Sequence, residues 1–383
     1  MRYYIIAGEA SGDLHGSNLI KELRKLDNGA IIRCWGGDLM QNAGAELVKH
    51  YRELAFMGFT EVIKNLPTIF KNLAFCKEDI KKFKPDAIIF IDYPGFNLRI
   101  AKWAKKEKFR TIYYISPQVW AWKENRVKLI KKCIDKMLVI LPFEKEFYKK
   151  WEYEVEYVGH PLVEVVERFK MEGLRHKEEL QLKPSANPKP ATLNLKPYVA
   201  LLPGSRKQEI LKKLPVMLEA SKSFPKYSFV VAQAPGQDES FYSDLLKDYP
   251  NVFGVSNQTY ALLSKAKAAC VTSGTATLET ALFAVPEVVC YKGSPVSYQI
   301  AKRLIKVKFI SLVNLIMNKL VVKELIQDEF NAENLKTELN KILTDKQAQQ
   351  NLKKDYADLK NILSAGGNAS ANAAKSIVSF LHS

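Results

Sequence analysis

At 383 residues the chain exceeds one ordinary domain and predicts two. Its 47% hydrophobic content suffices for packed cores, while no apolar run reaches the ~18 residues of a membrane-spanning helix, which excludes a helical integral membrane protein. Lys and Arg number 58 against 41 Asp and Glu, a net charge of +17 that draws nucleic acid, anionic lipid or phosphorylated substrates. No helix-turn-helix, zinc-finger or RNA-binding aromatic signature is present, so nucleic acid falls behind the other two. The five cysteines (34, 76, 133, 270, 290) are scattered without a CxxC pair or metal-ligand spacing, and read as buried thiols of a reducing cytoplasm.

The first apolar run, Tyr3–Ala7, is too short for a signal peptide and predicts a buried strand. From there short apolar runs alternate with longer amphipathic ones, the pattern of βαβ units and a parallel sheet. Further strands are predicted at Ala30–Trp35, Ala87–Ile91, Thr111–Ile115, Met137–Ile140 and Val155–Val158, then a helix over Glu164–Leu182. Residues 176–197 hold Pro184, Pro188, Pro190 and Pro197 among Ser, Asn and Lys, which is linker composition. Strands resume at Tyr198–Leu202, Ser228–Ala232, Val252–Gly254, Ala268–Thr272 and Glu287–Tyr291, and the Lys-, Gln- and Ala-rich tail reads as helical. The organisation expected is an α/β protein of two Rossmann-like doubly wound domains facing a cleft. Their bounds are 1–175 and 198–345, with 176–197 a linker and 346–383 helices packing back or exchanging between subunits.

Ligands of doubly wound sheets bind at the carboxyl ends of strands, and the motifs stand there. Gly8-Glu9-Ala10-Ser11-Gly12-Asp13 follows the first strand; it is neither a dinucleotide fingerprint nor a P-loop, so it is either an anion-binding helix start or a turn capped by Ser11 or Asp13. Asp92, in Ile91-Asp92-Tyr93-Pro94-Gly95, is either a general base aimed into the cleft or a helix cap. Trp120 and Trp122 in Ser116–Trp122 either pack a loop onto its domain or wall a sugar or acyl group. Leu202-Pro203-Gly204-Ser205-Arg206 opens a helix: Gly204 makes room, Ser205 can cap, and Arg206 offers a forked cation to phosphate. Ser273-Gly274-Thr275 opens another, where hydroxyls and amides at a positive helix end suit a diphosphate and Glu279, one turn on, suits ribose hydroxyls; a plain capping box is the alternative. No DxD motif to hold a metal and no serine–histidine–acid arrangement stands out.

These segments together resemble the lipid-A-disaccharide synthase family, glycosyltransferase family 19. The likeness runs through GEASGD (8–13), LAFMGFTEV (54–62), KPDAIIFID (84–92), SPQVWAW (116–122), LPFEKEFY (141–148), VGHP (158–161), LPGSR (202–206), SGTATLE (273–279), SLVNLI (311–316) and VKELIQ (322–327). The resemblance implies a two-domain B-type glycosyltransferase that needs no metal or other cofactor. It would join UDP-2,3-diacylglucosamine to 2,3-diacylglucosamine 1-phosphate with inversion, giving the β-1,6 disaccharide 1-phosphate and UDP. It further implies Asp92 as base and Arg206 as the essential phosphate-side cation. Glu9, Ser11, Gly204, Ser205, Ser273, Gly274, Thr275, Glu279 and Asn314 would be substrate- and UDP-binding residues. Gly95 departs from the pattern, since many members carry a second aspartate there. The family's tail helices can exchange in a homodimer. A UDP-sugar epimerase or the muramyl-lipid N-acetylglucosaminyltransferase would share the fold, and a non-enzymatic phospholipid-binding protein would share the charge.

Acylated substrates imply a membrane surface. From Phe59 to Leu73 the positions Phe59, Val62, Ile63, Leu66, Ile69, Phe70 and Leu73 recur at helical spacing, with Lys64 and Lys71 off the stripe and Lys81, Lys82 and Lys84 following. Such a stripe is ordinarily core-facing. Pro67 interrupts it, and so the expectation is that Val62, Ile63, Leu66, Ile69, Phe70 and Leu73 meet acyl chains at the anionic cytoplasmic face of the inner membrane.

Overall fold

The computed structural model describes residues 1–54, 66–176, 197–234, 237–294, 298–299, 303 and 307–383. They form two compact units, residues 1–161 with 363–383, and residues 162–362.

The first unit is built on seven strands: β1 (Arg2–Ala7), β2 (Ile31–Gly36), β3 (Glu46–His50), β4 (Ala87–Ile91), β5 (Arg110–Tyr114), β6 (Lys136–Val139) and β7 (Glu156–Tyr157). They lie in the order β3-β2-β1-β4-β5-β6-β7, and every adjacent pair is parallel. β4 and nearly all of β1 are fully buried, because helices cover both faces of such a sheet and leave no polar side to alternate. Successive side chains still divide between the faces. Tyr4 and Ile6 enter one core, with Trp35 and Phe90, and Tyr3, Ile5 and Ala7 enter the other, with Leu19 and Leu23.

The second unit repeats the plan with β8 (Tyr198–Leu202), β9 (Ser228–Gln233), β10 (Val252–Ser256), β11 (Ala268–Thr272), β12 (Glu287–Tyr291) and β13 (Lys323–Ile326), ordered β10-β9-β8-β11-β12-β13 and again all parallel. Both sheets therefore reverse their winding beside their first strand, between β1 and β4 and between β8 and β11. At such a switch point the loops diverge and leave room for a ligand. Two Rossmann-like domains are thus present, as expected.

Three expectations change. β3 and β13 are strands that the alternation did not reveal, because these short edge strands carry charged residues (Glu46, Lys49, Lys323, Glu324). The division also falls earlier than residue 175: the helix Pro161–His176 belongs to the second unit, apart from its first residue. There Phe169 meets Tyr260 and Phe283 edge-on, Lys170 donates to the Leu282 carbonyl at 2.8 Å, and Glu167 pairs with Lys360 at 2.9 Å. The tail, finally, is divided. The helix Lys346–Ser364 lies mostly in the second unit, whereas Ala369–His382 packs on Ala10–Leu26 in the first, burying Ala373, Ala374 and Ile377. Gly159 and Gly366 allow this return, since a Cβ on Gly366 would stand 2.4 Å from the Gly159 Cα. Most of the linker, 177–196, lies outside the described residues. All five cysteines are buried free thiols.

Candidate active site

In the first unit the switch point brings Glu9, after β1, beside Asp92, after β4. Asp92 and Tyr93 have φ of 42° and 49°, a left-handed pair that non-glycine residues adopt only when their surroundings hold them. What holds Asp92 is its own main chain. Its N–H donates to the Ile115 carbonyl at 3.3 Å, and its carbonyl accepts from the Tyr113 hydroxyl at 2.6 Å and from Asn97 Nδ2 at 2.7 Å. The ring of Tyr93 lies over Gly8, where any Cβ would sit 2.3 Å from the ring. The motif's first glycine is therefore required by close approach. Burial, with the Glu9 carboxylate adding to it, pushes the Asp92 carboxyl up to about 6. A carboxyl in that range is protonated and deprotonated near neutrality, as a general base must be.

The rest of the first motif divides by role. Asp13 is not a cap for its own helix. It is buried and accepts from the amides of Gly37 (2.8 Å), Leu39 (3.2 Å) and Met40 (3.0 Å), capping the neighbouring helix Asp38–Asn42. Glu9 is the N-cap residue of Ala10–Leu26 but makes no side-chain cap bond, and Ser11 is exposed. Gly95 is exposed, and a side chain there would meet nothing within 4 Å. Trp120 takes the packing role: it is buried and meets Phe143 edge-on at 5.0 Å.

In the second unit the loops after β8 and β11 adjoin at the corresponding switch point. Gly204 has φ of 115°, a left-handed conformation that favours glycine, and a Cβ there would crowd the Glu209 side chain, 2.6 Å from its Oε2. The N-cap of the helix Lys207–Ser221 is Arg206, not Ser205, which is exposed. The half-exposed Arg206 guanidinium lies 3.4 Å from Glu209. Gly274 precedes the helix Thr275–Leu282, and the space about its Cα is open. Ser273 donates its hydroxyl proton to the Ile310 carbonyl at 2.9 Å, which fixes the turn. Glu279 is half-buried, its Oε1 accepting from the Tyr260 hydroxyl at 2.8 Å, and burial raises its pKa.

Two expectations fail on geometry. Asn314 is fully buried, and its amide is spent on the protein: Nδ2 donates to the Val322 carbonyl (2.8 Å) and Glu324 (2.9 Å), while Oδ1 accepts from the amides of Val321 (2.8 Å) and Val322 (2.9 Å). It is a structural pin and has no capacity left for a nucleotide. The acyl-contact stripe also loses two members, Ile69 and Leu73, to the core. The helix runs Leu66–Phe83, so Pro67 sits in its first turn, where a missing N–H costs nothing. Leu73 is buried in the core and Ile69 packs against it, leaving Phe70 exposed at 63%. Val62 and Ile63 lie outside the described residues, as does the side chain of Leu66. Among the described residues no helix is long and apolar enough to cross a membrane.

Sequence reasoning missed Tyr113, Asn97 and Tyr260, the side chains that fix Asp92 and Glu279. Tyr113 lies within a predicted strand and Asn97 closes the Asp92 motif, and nothing local signals their bonds.

The Lipid-A-disaccharide synthetase family model matches residues 3–379. The lipid-A-disaccharide synthase of Syntrophus aciditrophicus is 39% identical over 378 residues, covering 95% of this chain and 94% of that one. The Coxiella burnetii enzyme of the same name is 36% identical over 388 residues, covering 99% and 98%. Among solved structures, a UDP-GlcNAc 2-epimerase from Neisseria meningitidis superposes with a TM-score of 0.68 at 14% identity, covering 100% of both chains. The calicheamicin glycosyltransferase CalG4 does so with 0.59 at 17%, covering 100% and 98%. The structural neighbours share the fold alone, but a family model spanning nearly the whole chain and relatives this similar show that the chain belongs to the lipid-A-disaccharide synthetase family, glycosyltransferases of lipid A biosynthesis.

Proposed function

We propose that the protein transfers a 2,3-diacylglucosamine unit from its UDP donor to 2,3-diacylglucosamine 1-phosphate, forming the β-1,6-linked disaccharide 1-phosphate and releasing UDP. An α-linked donor giving a β product requires inversion, and hence one in-line displacement. Asp92 serves as the base, taking the proton from the acceptor's 6-hydroxyl as that oxygen attacks the anomeric carbon. The observation that carries this reading is the restraint of Asp92: a left-handed residue held by three main-chain hydrogen bonds at a switch point, with a carboxyl raised toward neutrality.

The second unit holds the donor. Arg206, Ser205 and the start of the helix Thr275–Leu282 at Gly274 receive the diphosphate, where negative charge grows as the bond breaks. Glu279, set by Tyr260, takes the ribose hydroxyls. In this scheme the guanidinium and the helix dipole stabilise the leaving group, and neither a metal nor another cofactor takes part. Glu9 and Ser11 line the acceptor side. The lipid substrates are met at the anionic cytoplasmic face of the inner membrane, where the +17 net charge favours association.

Incubating the protein with both acylated substrates, while following UDP release and the anomeric linkage by NMR, tests the reading. A β-1,6 disaccharide supports it. An epimerised UDP-sugar, or no UDP release, overturns it.

A further inference from the structure

The helix Lys207–Ser221 follows β8, with Arg206 as its N-cap residue. Glu209 comes three residues after Arg206 and Lys213 four after that, the spacing that brings side chains of one helix face together. Glu209 thus lies between two cations. Its Oε1 stands 3.4 Å from Arg206 Nη1. Its Oε2 lies against the Gly204 turn, where a Cβ on the glycine would stand 2.6 Å from that oxygen. The room that Gly204 leaves in the loop after β8 is taken by a carboxylate of the chain itself, paired with the guanidinium proposed for the diphosphate. Lys213 has the opposite surroundings. It is only 3% exposed, and its Nζ lies 5.9 Å from the ring centre of Tyr291, the last residue of β12. Among the described residues its ammonium makes no hydrogen bond or ion pair.

The two cations hold the carboxylate differently. The pair with Arg206 is an i,i+3 contact of a half-exposed guanidinium, which is weak and open to competition. Lys213 is a buried charge, which is costly without a partner, and a glutamate four residues nearer the helix N-terminus is placed to supply one. Burial lowers the Lys213 pKa, and the Glu209 carboxylate works against that shift. We infer that Glu209 is an internal competitor for the donor-phosphate site, yielding Arg206 to the diphosphate by turning to Lys213 and reclaiming it as UDP leaves. The inference rests on Arg206 receiving the diphosphate. A carboxylate and a phosphate at one guanidinium repel each other, so displacing Glu209 weakens diphosphate binding, and Lys213 offsets part of that loss by pairing the displaced charge. The exchange is a side-chain rotation and breaks no covalent bond. After transfer the same competition speeds UDP release, a kind of step that often limits turnover.

Calorimetric titration of the full chain with UDP and with uridine tests this, in wild type, Glu209→Gln, Lys213→Met, the double variant and Arg206→Ala. Glu209→Gln keeps the side chain's shape and removes its charge. It should tighten UDP about tenfold, the scale of one charge-assisted contact, and leave uridine affinity unchanged. Lys213→Met keeps the buried stem and should weaken UDP by about threefold to tenfold. That loss should vanish in the double variant, where no displaced charge needs a partner. Unchanged UDP affinity in either single variant, or weaker binding in Glu209→Gln, overturns the inference; in the second case the glutamate supports Arg206 instead of competing for it. A Lys213→Met loss that persists in the double variant also overturns it, by putting the ammonium on the phosphate itself. Should Lys213→Met fail to fold, the sign of the Glu209→Gln effect decides alone. Arg206→Ala separates the competitor from the site assignment. If it binds UDP as wild type does, the assigned phosphate site falls and the competitor with it. If it weakens UDP while Glu209→Gln does not tighten it, the competitor alone falls.

Discussion

Tyr113 donates its hydroxyl to the Asp92 carbonyl at 2.6 Å, a bond from the middle of one strand's end to the backbone of the residue that follows its neighbour. The phenol is fully buried, and its proton steadies a backbone conformation that would otherwise be strained. Removing the carboxylate and removing this support should therefore differ. Asp92→Asn is expected to fold, keep UDP affinity and lose at least ~100-fold in turnover, the scale of a lost general base. Tyr113→Phe keeps the carboxylate but frees its backbone, and should lower kcat by about tenfold with little change in UDP affinity. Steady-state kinetics with calorimetric UDP titration checks both; near-normal turnover in folded Asp92→Asn removes Asp92 from the mechanism.

Arg206→Ala should weaken UDP binding and turnover together. A charge-assisted contact to phosphate contributes roughly 1.5–3 kcal/mol, so the affinity should fall about tenfold to a hundredfold. The exposed pair with Glu209 adds little to the fold, so the melting temperature should barely change. Unchanged UDP affinity with full activity would move the phosphate site elsewhere.

Glu279→Ala should cost more affinity for UDP than for pyrophosphate, because its proposed partner is the ribose. Tyr260→Phe removes the hydroxyl that fixes Glu279 Oε1 and should show a weaker form of the same pattern. Equal losses for UDP and pyrophosphate in calorimetry would contradict the ribose role.

How much of this was legible depended on whether the signal is local. The central strands β1, β4, β8 and β11 are apolar because both their faces are covered, and they read as strands at once. β3 and β13 sit at sheet edges, tolerate charge, and do not. Asp92 could be chosen because it directly follows a buried strand, and Arg206 because it ends the short loop between a buried strand and a helix. Tyr113 and Tyr260 could not, since their partners lie 21 and 19 residues away and an aromatic residue among apolar ones reads as core. Asn314 was misread for a related cause. Within Ser311-Leu312-Val313-Asn314-Leu315-Ile316 an amide facing a ligand and one bonded inward look alike.

Asn314 consequently makes a stability prediction in place of a binding one. Truncating it leaves the buried amide of Val322, the part-buried amide of Val321, a carbonyl and Glu324 short of a partner. Asn314→Ala should cost about 2–4 kcal/mol by denaturant unfolding of the second unit. A loss of UDP affinity at full stability would restore the ligand role.

The membrane surface gives the last prediction, and among the described residues of the stripe Phe70 is the one left exposed. On the helix Leu66–Phe83, Leu73 is 6% exposed and Ile69 packs beside it, so serine at either position attacks the core. Phe70 is 63% exposed and Phe75, five residues on, is 47% exposed, with Lys71 beside the one and Lys77 and Lys81 after the other. An exposed aromatic flanked by lysines suits a headgroup boundary: the ring enters the acyl region and the ammonium groups meet anionic lipid. Burying such a ring is worth roughly 1.5–3 kcal/mol when complete, so partial insertion gives about a tenfold effect. Phe70→Ser should weaken binding to vesicles containing anionic lipid by about tenfold and lower activity on the acylated substrates, with melting temperature and UDP affinity unchanged. Added salt should weaken the wild type further, because the lysine contribution is screened. Leu73→Ser is the contrasting control and should lower the melting temperature. If Phe70→Ser also melts early, or binds vesicles as wild type does, this face of the helix does not meet the membrane.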